Sequence, residues 1–257
     1  MTINHEVSGN GPPLIFLAGL GLDLTVWNPL AALLRDRFTC VLVDNRGSGK
    51  SDAPGGPYTI EEMATDTIGL ARTLHMDRFG VVGHSMGGLI ALQTAADFPE
   101  AVSGLLLLST ARGGRSDALG STPDAIAAMG RTRGPVKEIV RETLTVCVGE
   151  YFCSDRADDF EALVAERIER RATGRGIAGQ RAACGRFDFG SRLHEISCPC
   201  TVVHGSEDRV ASIDKGKELA REIRGARLVV LPGVGHMPQW ESTEQLADII
   251  EASFSKT

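Results

Sequence analysis

The sequence predicts a doubly wound α/β sheet, in which helices cover both faces of mostly parallel strands. Three observations support this prediction. Six short apolar runs recur along the chain, amphipathic segments lie between them, and a length of 257 residues suits one α/β domain or two small ones. Strands that are apolar on both faces belong in a parallel sheet buried under helices. The alternation of the two patterns is typical of βαβ crossover units.

The predicted strands are continuously apolar, and the predicted helices follow amphipathic periodicity. The strands are predicted at 14–17, 40–43, 79–82, 105–108, 201–203 and 228–231. The helices are predicted at about 28–34, 60–74, 86–97, 215–223 and 243–254. Thr59 precedes two acidic residues in a first helical turn, which is a typical capped start. Residues 3–8, a turn at 9–11 and the strand at 14 are predicted to form an antiparallel hairpin at the sheet edge.

Residues 112–195 interrupt the alternation of strands and helices. This segment has few strand-like runs, many Arg and Glu residues, and helical periodicity, as at 158–171 (DDFEALVAERIERR). We interpret 112–195 as a helical cap inserted over the carboxyl end of the sheet, with 1–111 and 196–257 forming the core domain. Glycine pairs and clusters at 113–114 and 174–179 are predicted to act as its hinges. Ordinary crossover helices are the alternative interpretation.

Composition excludes several classes of partner. The formal net charge is −6, no block of Lys and Arg is present, and aromatic residues are only 5% of the chain. A nucleic-acid-binding protein is expected to carry a basic excess, so no nucleic acid partner is predicted. The longest apolar runs are far below the roughly 20 residues that cross a bilayer, so no membrane association is predicted.

The N-terminal segment and the cysteines predict a cytoplasmic protein without a metal. The chain starts MTINHEVSGNGPP, which lacks the basic start and apolar run of a signal peptide. No CxxC pair occurs among the six cysteines, and no histidine spacing completes a zinc pattern. We expect free, mostly buried thiols in a reducing compartment, and the alternative interpretation is a regulatory disulfide or a metal site. The oligomeric state is not predicted.

The segment Gly83-His84-Ser85-Met86-Gly87 directly follows the apolar run at 79–82 and precedes a predicted helix. This is the context that the G-x-S-x-G motif requires, because a sharp strand-to-helix turn lifts the serine hydroxyl above the sheet. The flanking glycines avoid collisions with the neighbouring strand and helix. Ser85 is therefore the predicted nucleophile. His84 is interpreted as a support for the turn.

A serine hydroxyl needs a base, and the base needs an orienting acid. Asp208 follows the strand predicted at 201–203, and His236 follows the strand predicted at 228–231. Both lie at carboxyl ends of predicted strands, where sites of open α/β sheets are found. The order Ser85, Asp208, His236 matches the order in α/β-hydrolases. Glu207 is the alternative acid, and His204 is interpreted as a packed residue.

The oxyanion hole needs two backbone N–H donors close to the developing negative charge. Met86, the residue after the nucleophile, is predicted to supply the first donor. The second is predicted to come from Leu20, which lies in the loop after the first parallel strand and has a glycine on each side. The alternative interpretation is a glycine-rich turn without a catalytic role.

The chain resembles the α/β-hydrolase superfamily, and within it the 3-oxoadipate enol-lactonase group and related small carboxylesterases. The resemblance runs from about residue 10 to the C-terminus and is weakest across 112–185. It rests on segments that include a glycine-rich turn, the nucleophile motif and the loops after the last two strands. For the superfamily these are DNRGSGKSD at 44–52, GHSMGG at 83–88, GSEDRV at 205–210 and GVGHMPQWE at 233–241. For the lactonase group they are LGLD at 20–23, GPYTIE at 56–61 and SMGGLIAL at 85–92. Ala18 stands where many members carry a histidine, a departure that the lactonase-like group shares.

The resemblance implies a cofactor-free serine hydrolase with Ser85, Asp208 and His236 as the triad and Leu20 and Met86 as oxyanion donors. The predicted reaction is hydrolysis of a small carboxylic ester or lactone through an acyl-enzyme. Two alternatives within enzymes are a carbon–carbon bond (β-diketone) hydrolase and a cofactor-free haloperoxidase-like enzyme. A third alternative is a ligand-sensing protein with slow turnover. Arginines at 112, 115, 131 and 133 form a further hypothesis, a receptor for a substrate carboxylate.

Overall fold

A seven-stranded sheet in the order β1-β3-β2-β4-β5-β6-β7 forms the centre of the molecule. The computed structural model describes residues 1–113, 119–170 and 172–255. Strand β1 pairs with β3 in antiparallel orientation, and all the other pairs are parallel. The strands are β1 (His5–Ser8), β2 (Pro13–Leu17), β3 (Thr39–Val43), β4 (Phe79–His84), β5 (Val102–Leu108), β6 (Cys200–Gly205) and β7 (Arg227–Leu231).

Helices connect the parallel strands and cover both faces of the sheet. In chain order they are α1 (Asn28–Leu34), α2 (Ile60–Thr73), α3 (Met86–Asp97), α4 (Pro123–Gly130), α5 (Val136–Cys147), α6 (Glu150–Ser154), α7 (Ala157–Glu169), α8 (Gly174–Arg186), α9 (Ile213–Glu222), α10 (Pro238–Glu241) and α11 (Thr243–Phe254). Short 3-10 helices lie at Leu24–Trp27 and Gly190–Glu195. None of the described helices combines the length and apolar character needed to cross a membrane.

Alternation along the strands distributes apolar side chains to two core layers. Ile15 and Leu17 of β2 join the layer under α2 and α3, whereas Leu14 and Phe16 join the layer under α1 and α11. All four side chains are almost completely buried. The predicted sheet with continuously apolar strands is therefore confirmed, because both of its faces are covered.

The hairpin prediction is wrong about which strand pairs with β1. Strand β1 is an antiparallel edge strand, but it pairs with β3 and not with β2. The crossover through α1 places β3 beside β2, so β1 finds a free edge only on the outer side of β3. Residues between β1 and β2 pass over the end of α1, where Asn10 N–H donates to the Arg35 carbonyl over 3.1 Å.

Five helices, α4 to α8, lie between β5 and β6 in the chain. Helices α4 to α7 contribute residues that include Leu144, Phe152 and Phe160 to a third apolar cluster, which also includes Val210 and Met237 from the loops after β6 and β7. The division into a core at 1–111 and 196–257 and a cap at 112–195 stays a prediction. The predicted hinge at 174–179 is wrong, because these residues form the first turns of α8. Of the predicted hinge at 113–114, residue 114 lies outside the described residues.

Candidate active site

Ser85 occupies a strained turn between β4 and α3. Its backbone has φ 52° and ψ −115°, a region that residues other than glycine rarely adopt. Its N–H donates to the Leu108 carbonyl over 2.9 Å, and its carbonyl accepts the Thr110 hydroxyl at 2.7 Å. A Cβ at Gly87 would lie 2.0 Å from the Leu17 carbonyl, so this motif position requires glycine.

Asp208 lies in the loop after β6 and accepts a hydrogen bond from His236 Nδ1 over 2.8 Å. Its other oxygen, Oδ1, accepts the N–H groups of Val210 and Ala211 at 2.9 and 2.8 Å. Burial on its own raises the pKa of this carboxyl, but His236 and His204 beside it outweigh burial. The pKa of Asp208 consequently lies well below its usual range, and the group is a carboxylate at neutral pH.

The alternative acid does not face the imidazole. Glu207 is exposed, and its Oε2 accepts the N–H of Glu150 over 3.0 Å. The structure thus brings Asp208, and not Glu207, to His236. His84 and His204, which were interpreted as a support for the nucleophile turn and as a packed residue, are both fully enclosed.

His84 supports the turn that carries His236. Its Nε2 lies 2.8 Å from the His236 carbonyl, an atom that can only accept, so Nε2 carries the proton. Burial, followed by the nearby His236 ring, lowers the pKa of His84 to about 3. His84 is therefore a neutral structural group.

Glu241, which the sequence analysis missed, orders the backbone around His236. Its carboxylate accepts the N–H groups of Gly235 at 3.0 Å and Met237 at 3.2 Å, on either side of His236. It also accepts the N–H of Gly149 at 2.7 Å, which ties the His236 loop to the start of α6. The surrounding segment, GVGHMPQWE at 233–241, gives no local signal of these backbone partners.

One cavity of about 660 Å³ brings the predicted site residues together at the carboxyl end of the sheet. Ser85, His236, Leu20 and Met86 all line it, while Asp208 lies behind His236. Its remaining described lining comes largely from the loop after β5 and from helices α4 and α8.

The cavity contains one thiol among its described lining residues. This is Cys184, and burial raises its pKa to about 12. A protonated thiol is a poor nucleophile at neutral pH. No three His, Cys, Asp or Glu side chains converge as metal ligands would within the part of the chain that the structure describes.

Arg181 of α8 is the one permanently charged side chain among the described residues that line this cavity. Its guanidinium donates to the Met129 carbonyl over 2.7 Å, and no described carboxylate forms an ion pair with it. Arg181 also lines an adjoining cavity of about 830 Å³, together with Leu20 and Met129. The sequence around Arg181 does not predict this position, since an arginine on a helix gives no local signal of a cavity.

Of the arginines predicted as a carboxylate receptor, those that the structure describes do not line the catalytic cavity, although Arg131 lines the adjoining one. Arg112 pairs with Glu222 at 3.6 Å, and Arg131 pairs with Glu138 at 3.1 Å. Residue 115 lies outside the described residues. Neither Arg112 nor Arg131 nor the exposed residue at 133 is among the described lining of the catalytic cavity.

Comparison with known proteins identifies the family. The family model described as "Alpha/beta hydrolase family" matches residues 14–249. The chain belongs to the alpha/beta hydrolase family. This membership agrees with the fold and with the hydrolase activity that the sequence predicts.

Relatives of this alpha/beta hydrolase include a lactonase and an esterase. The chain is 28% identical to "3-oxoadipate enol-lactonase 2" of Acinetobacter baylyi, over 98% of this chain and 92% of that protein. The crystal structure of an enol-lactonase from Burkholderia xenovorans LB400 has a TM-score of 0.85 and 28% identity, and the match covers 98% of this chain and 96% of that one. A thermophilic esterase from Thermogutta terrifontis has a TM-score of 0.83 and 28% identity, covering 99% and 93%.

Proposed function

We propose that the protein hydrolyses a small carboxylic ester or lactone through an acyl-enzyme on Ser85. The observation that carries the proposal is the hydrogen bond from His236 Nδ1 to buried Asp208, with His236 lining the same cavity as Ser85. Because Nδ1 is engaged by the carboxylate, Nε2 is the nitrogen available as a base. The lactonase and esterase among the relatives support the same choice of bond.

In each proposed step, one proton is transferred while one bond to the acyl carbon forms or breaks. His236 Nε2 takes the Ser85 hydroxyl proton as the serine oxygen bonds to the acyl carbon. The tetrahedral oxyanion accepts N–H groups of Leu20 and Met86. When the carbon–oxygen bond to the alcohol breaks, the leaving oxygen takes the proton from His236; in a lactone, this alcohol stays attached to the acyl group. Water then gives a proton to His236 Nε2 as its oxygen bonds to the acyl carbon. The bond from the acyl carbon to the Ser85 oxygen breaks as His236 returns the proton to that oxygen, which frees the acid and restores the enzyme.

Asp208 stabilises the imidazolium that forms in both steps. Its lowered pKa keeps the carboxylate charged across the pH range in which His236 works as a base. It also holds the imidazole in the tautomer that leaves Nε2 free, since a carboxylate accepts only from a protonated Nδ1. In this proposal, no metal or organic cofactor takes part.

Arg181 favours a substrate that carries a carboxylate. A cation without an acidic partner, beside an otherwise neutral cavity, attracts an anionic group and orients it. This role replaces the one considered for the arginines at 112, 115, 131 and 133. The free thiols of the chain are compatible with action in a reducing cytoplasm.

Replacement of Ser85 tests the proposal. Wild type and Ser85→Ala are assayed on p-nitrophenyl esters and on five- and six-membered lactones, and wild type is labelled with a fluorophosphonate. We expect labelling at Ser85 alone and a loss of at least about 10³-fold in kcat on substitution. Ser109→Ala is the matched control, because Ser109 lines the same cavity and also has a positive φ of 46°. Undiminished turnover in Ser85→Ala would overturn the nucleophile; labelling without measurable turnover would favour a ligand sensor.

A further inference from the structure

The side chain of Gln180 joins helix α8 to the loop that carries Leu20. Gln180 is completely buried. Its Oε1 accepts the N–H of Gly21 over 2.8 Å. Its Nε2 donates to the Arg46 carbonyl at 2.9 Å and to the Ser48 hydroxyl at 2.8 Å. One amide therefore connects α8 with two loops at the carboxyl end of the sheet.

The chemistry of its partners determines the orientation of this amide. The Gly21 N–H can only donate, and the Arg46 carbonyl can only accept. Exchange of the amide oxygen and nitrogen of Gln180 would break both bonds at once. A buried amide with both ends satisfied holds its neighbours far more firmly than one that faces water.

The bond to Gly21 controls a turn next to the cavity. Leu22 N–H donates to the Gly19 carbonyl over 3.2 Å, so Leu20 and Gly21 are the two central residues of this turn. Gly21 has φ 73°, which is typical of the third position of a type II turn. Types I and II differ in the orientation of the central peptide, here the one that joins Leu20 to Gly21. Gln180 accepts the N–H of that peptide, so it maintains this orientation.

Helix α8 is held at a fixed distance from the core by close glycine contacts. A Cβ at Gly176 would lie 1.9 Å from the Gly47 carbonyl, and a Cβ at Gly179 would lie 2.5 Å from the Tyr58 ring. Backbone and ring are thus in direct contact, with no space for a side chain between them. Gln180 follows Gly179 directly, so its amide is presented from a firmly packed segment.

We propose that Gln180 is a positioning residue for the oxyanion hole. It touches neither the substrate nor the reacting atoms. It acts by fixing the turn at 19–22 through the Gly21 N–H, and the first peptide of that turn carries the Leu20 N–H that stabilises the oxyanion. The inference rests on the proposed function, in which Leu20 has that role. A misdirected donor weakens binding of the tetrahedral state more than binding of the planar substrate, so the effect falls on kcat and not on KM.

Gln180→Met tests this role, because methionine has a similar length and its sulfur is only a weak acceptor for the Gly21 N–H. We expect kcat on a p-nitrophenyl ester to fall about tenfold or more, with KM within about threefold of wild type. The affinity for phenylboronic acid, which forms a tetrahedral adduct with a serine, is expected to fall in parallel. A residue with only a structural role would not change these two quantities together.

Gln93→Met is the matched control. Gln93 is a second buried glutamine, in α3, and its amide donates to Asp97 over 2.6 Å, away from the cavity. We expect this variant to lose stability while its kcat and its affinity for phenylboronic acid stay within about twofold of wild type.

Three outcomes overturn the inference. The first is a folded Gln180→Met that keeps kcat and boronic acid affinity within about twofold of wild type. If that variant does not fold, Gln180→Glu decides, because it keeps an acceptor for Gly21 N–H and loses both donations of Nε2. We expect Gln180→Glu to retain boronic acid affinity within about threefold, and a tenfold loss would overturn the role of the Gly21 bond. A wild type that neither turns over esters nor binds phenylboronic acid overturns the proposed function together with this inference.

Discussion

Nε2 of His204 lies 3.3 Å from Oδ2 of Asp208, the same carboxylate oxygen that accepts the hydrogen bond from His236. His204 Nε2 also lies 2.9 Å from the Ala211 carbonyl. Both neighbours of this nitrogen only accept, so Nε2 carries the proton and is shared between them. Asp208 is therefore held by two imidazoles and two backbone N–H groups.

We expect His204→Leu to lower kcat about tenfold and to lower the free energy of unfolding by about 1.5–3 kcal/mol. In this variant the buried Asp208 carboxylate loses a donor, and the Ala211 carbonyl loses its partner. His204→Gln, whose amide nitrogen reaches about as far as Nε2, is expected to restore most of the turnover. Steady-state kinetics and chemical denaturation of the two variants measure this. Equal turnover in His204→Leu and wild type would contradict it.

Arg181→Met is expected to raise KM about tenfold for a p-nitrophenyl ester with a free carboxylate, such as the hemisuccinate, because the charge-assisted hydrogen bond is lost. The KM for p-nitrophenyl butyrate, which is neutral, is expected to stay unchanged. Arg141→Met is the control, since Arg141 pairs with Glu161 and is not among the described lining of either cavity. The same increase for both esters would argue against an anion receptor.

His84 makes the protein sensitive to mild acid. In the folded protein its pKa is lowered to about 3 by burial and then by His236, whereas an unfolded histidine titrates near pH 6.5. Between these values the unfolded state binds one more proton, so stability falls with decreasing pH by about 1.4 kcal/mol per pH unit from this group.

Removal of the titrating group should remove this slope. We expect His84→Gln to be less stable than wild type at pH 7, while its stability decreases less steeply between pH 6 and pH 4.5. Urea denaturation at several pH values measures how the free energy of unfolding of wild type and of His84→Gln changes with pH. Parallel slopes for the two proteins would show that His84 titrates normally in the folded protein. Asp208 does not interfere in this range, because its folded-state pKa is depressed and its contribution is lost only as pH falls below about 4.

Two glycines of the same helix are expected to respond to alanine with opposite signs. In a helix, alanine is ordinarily favoured over glycine by up to about 1 kcal/mol, so Gly185→Ala, which meets no atom within 4 Å, is expected to stabilise the protein. Gly179→Ala places a methyl group 2.5 Å from the Tyr58 ring and is expected to destabilise it by about 1–3 kcal/mol. Thermal denaturation compares the two variants, and stabilisation by Gly179→Ala would show that α8 can move away from the core.

Periodicity and motif context were sufficient to predict most of the fold. The continuously apolar runs predicted six strands, each of which is present and is longer by one to three residues. The turn around Ser85 was also predictable, because a glycine-flanked serine between a strand and a helix has few other conformations. Asp208 and His236 followed from their positions after the last two strands, since parallel strands deliver their carboxyl ends to one edge of a sheet.

Contacts between segments distant in the chain required the folded structure. The partner of β1 was mispredicted because pairing depends on which sheet edge remains free after the crossover. The glycines at 174–179 were mistaken for a hinge. Their local sequence does not show that the Gly47 carbonyl and the Tyr58 ring pack directly against them. Gln180, Arg181 and Glu241 gained their partners in the same way: a polar side chain on a helix has no local signature of the loop or cavity that it meets. Short-range patterns thus specify elements and their order, whereas the close approach of loops and helices depends on the packing of the whole chain.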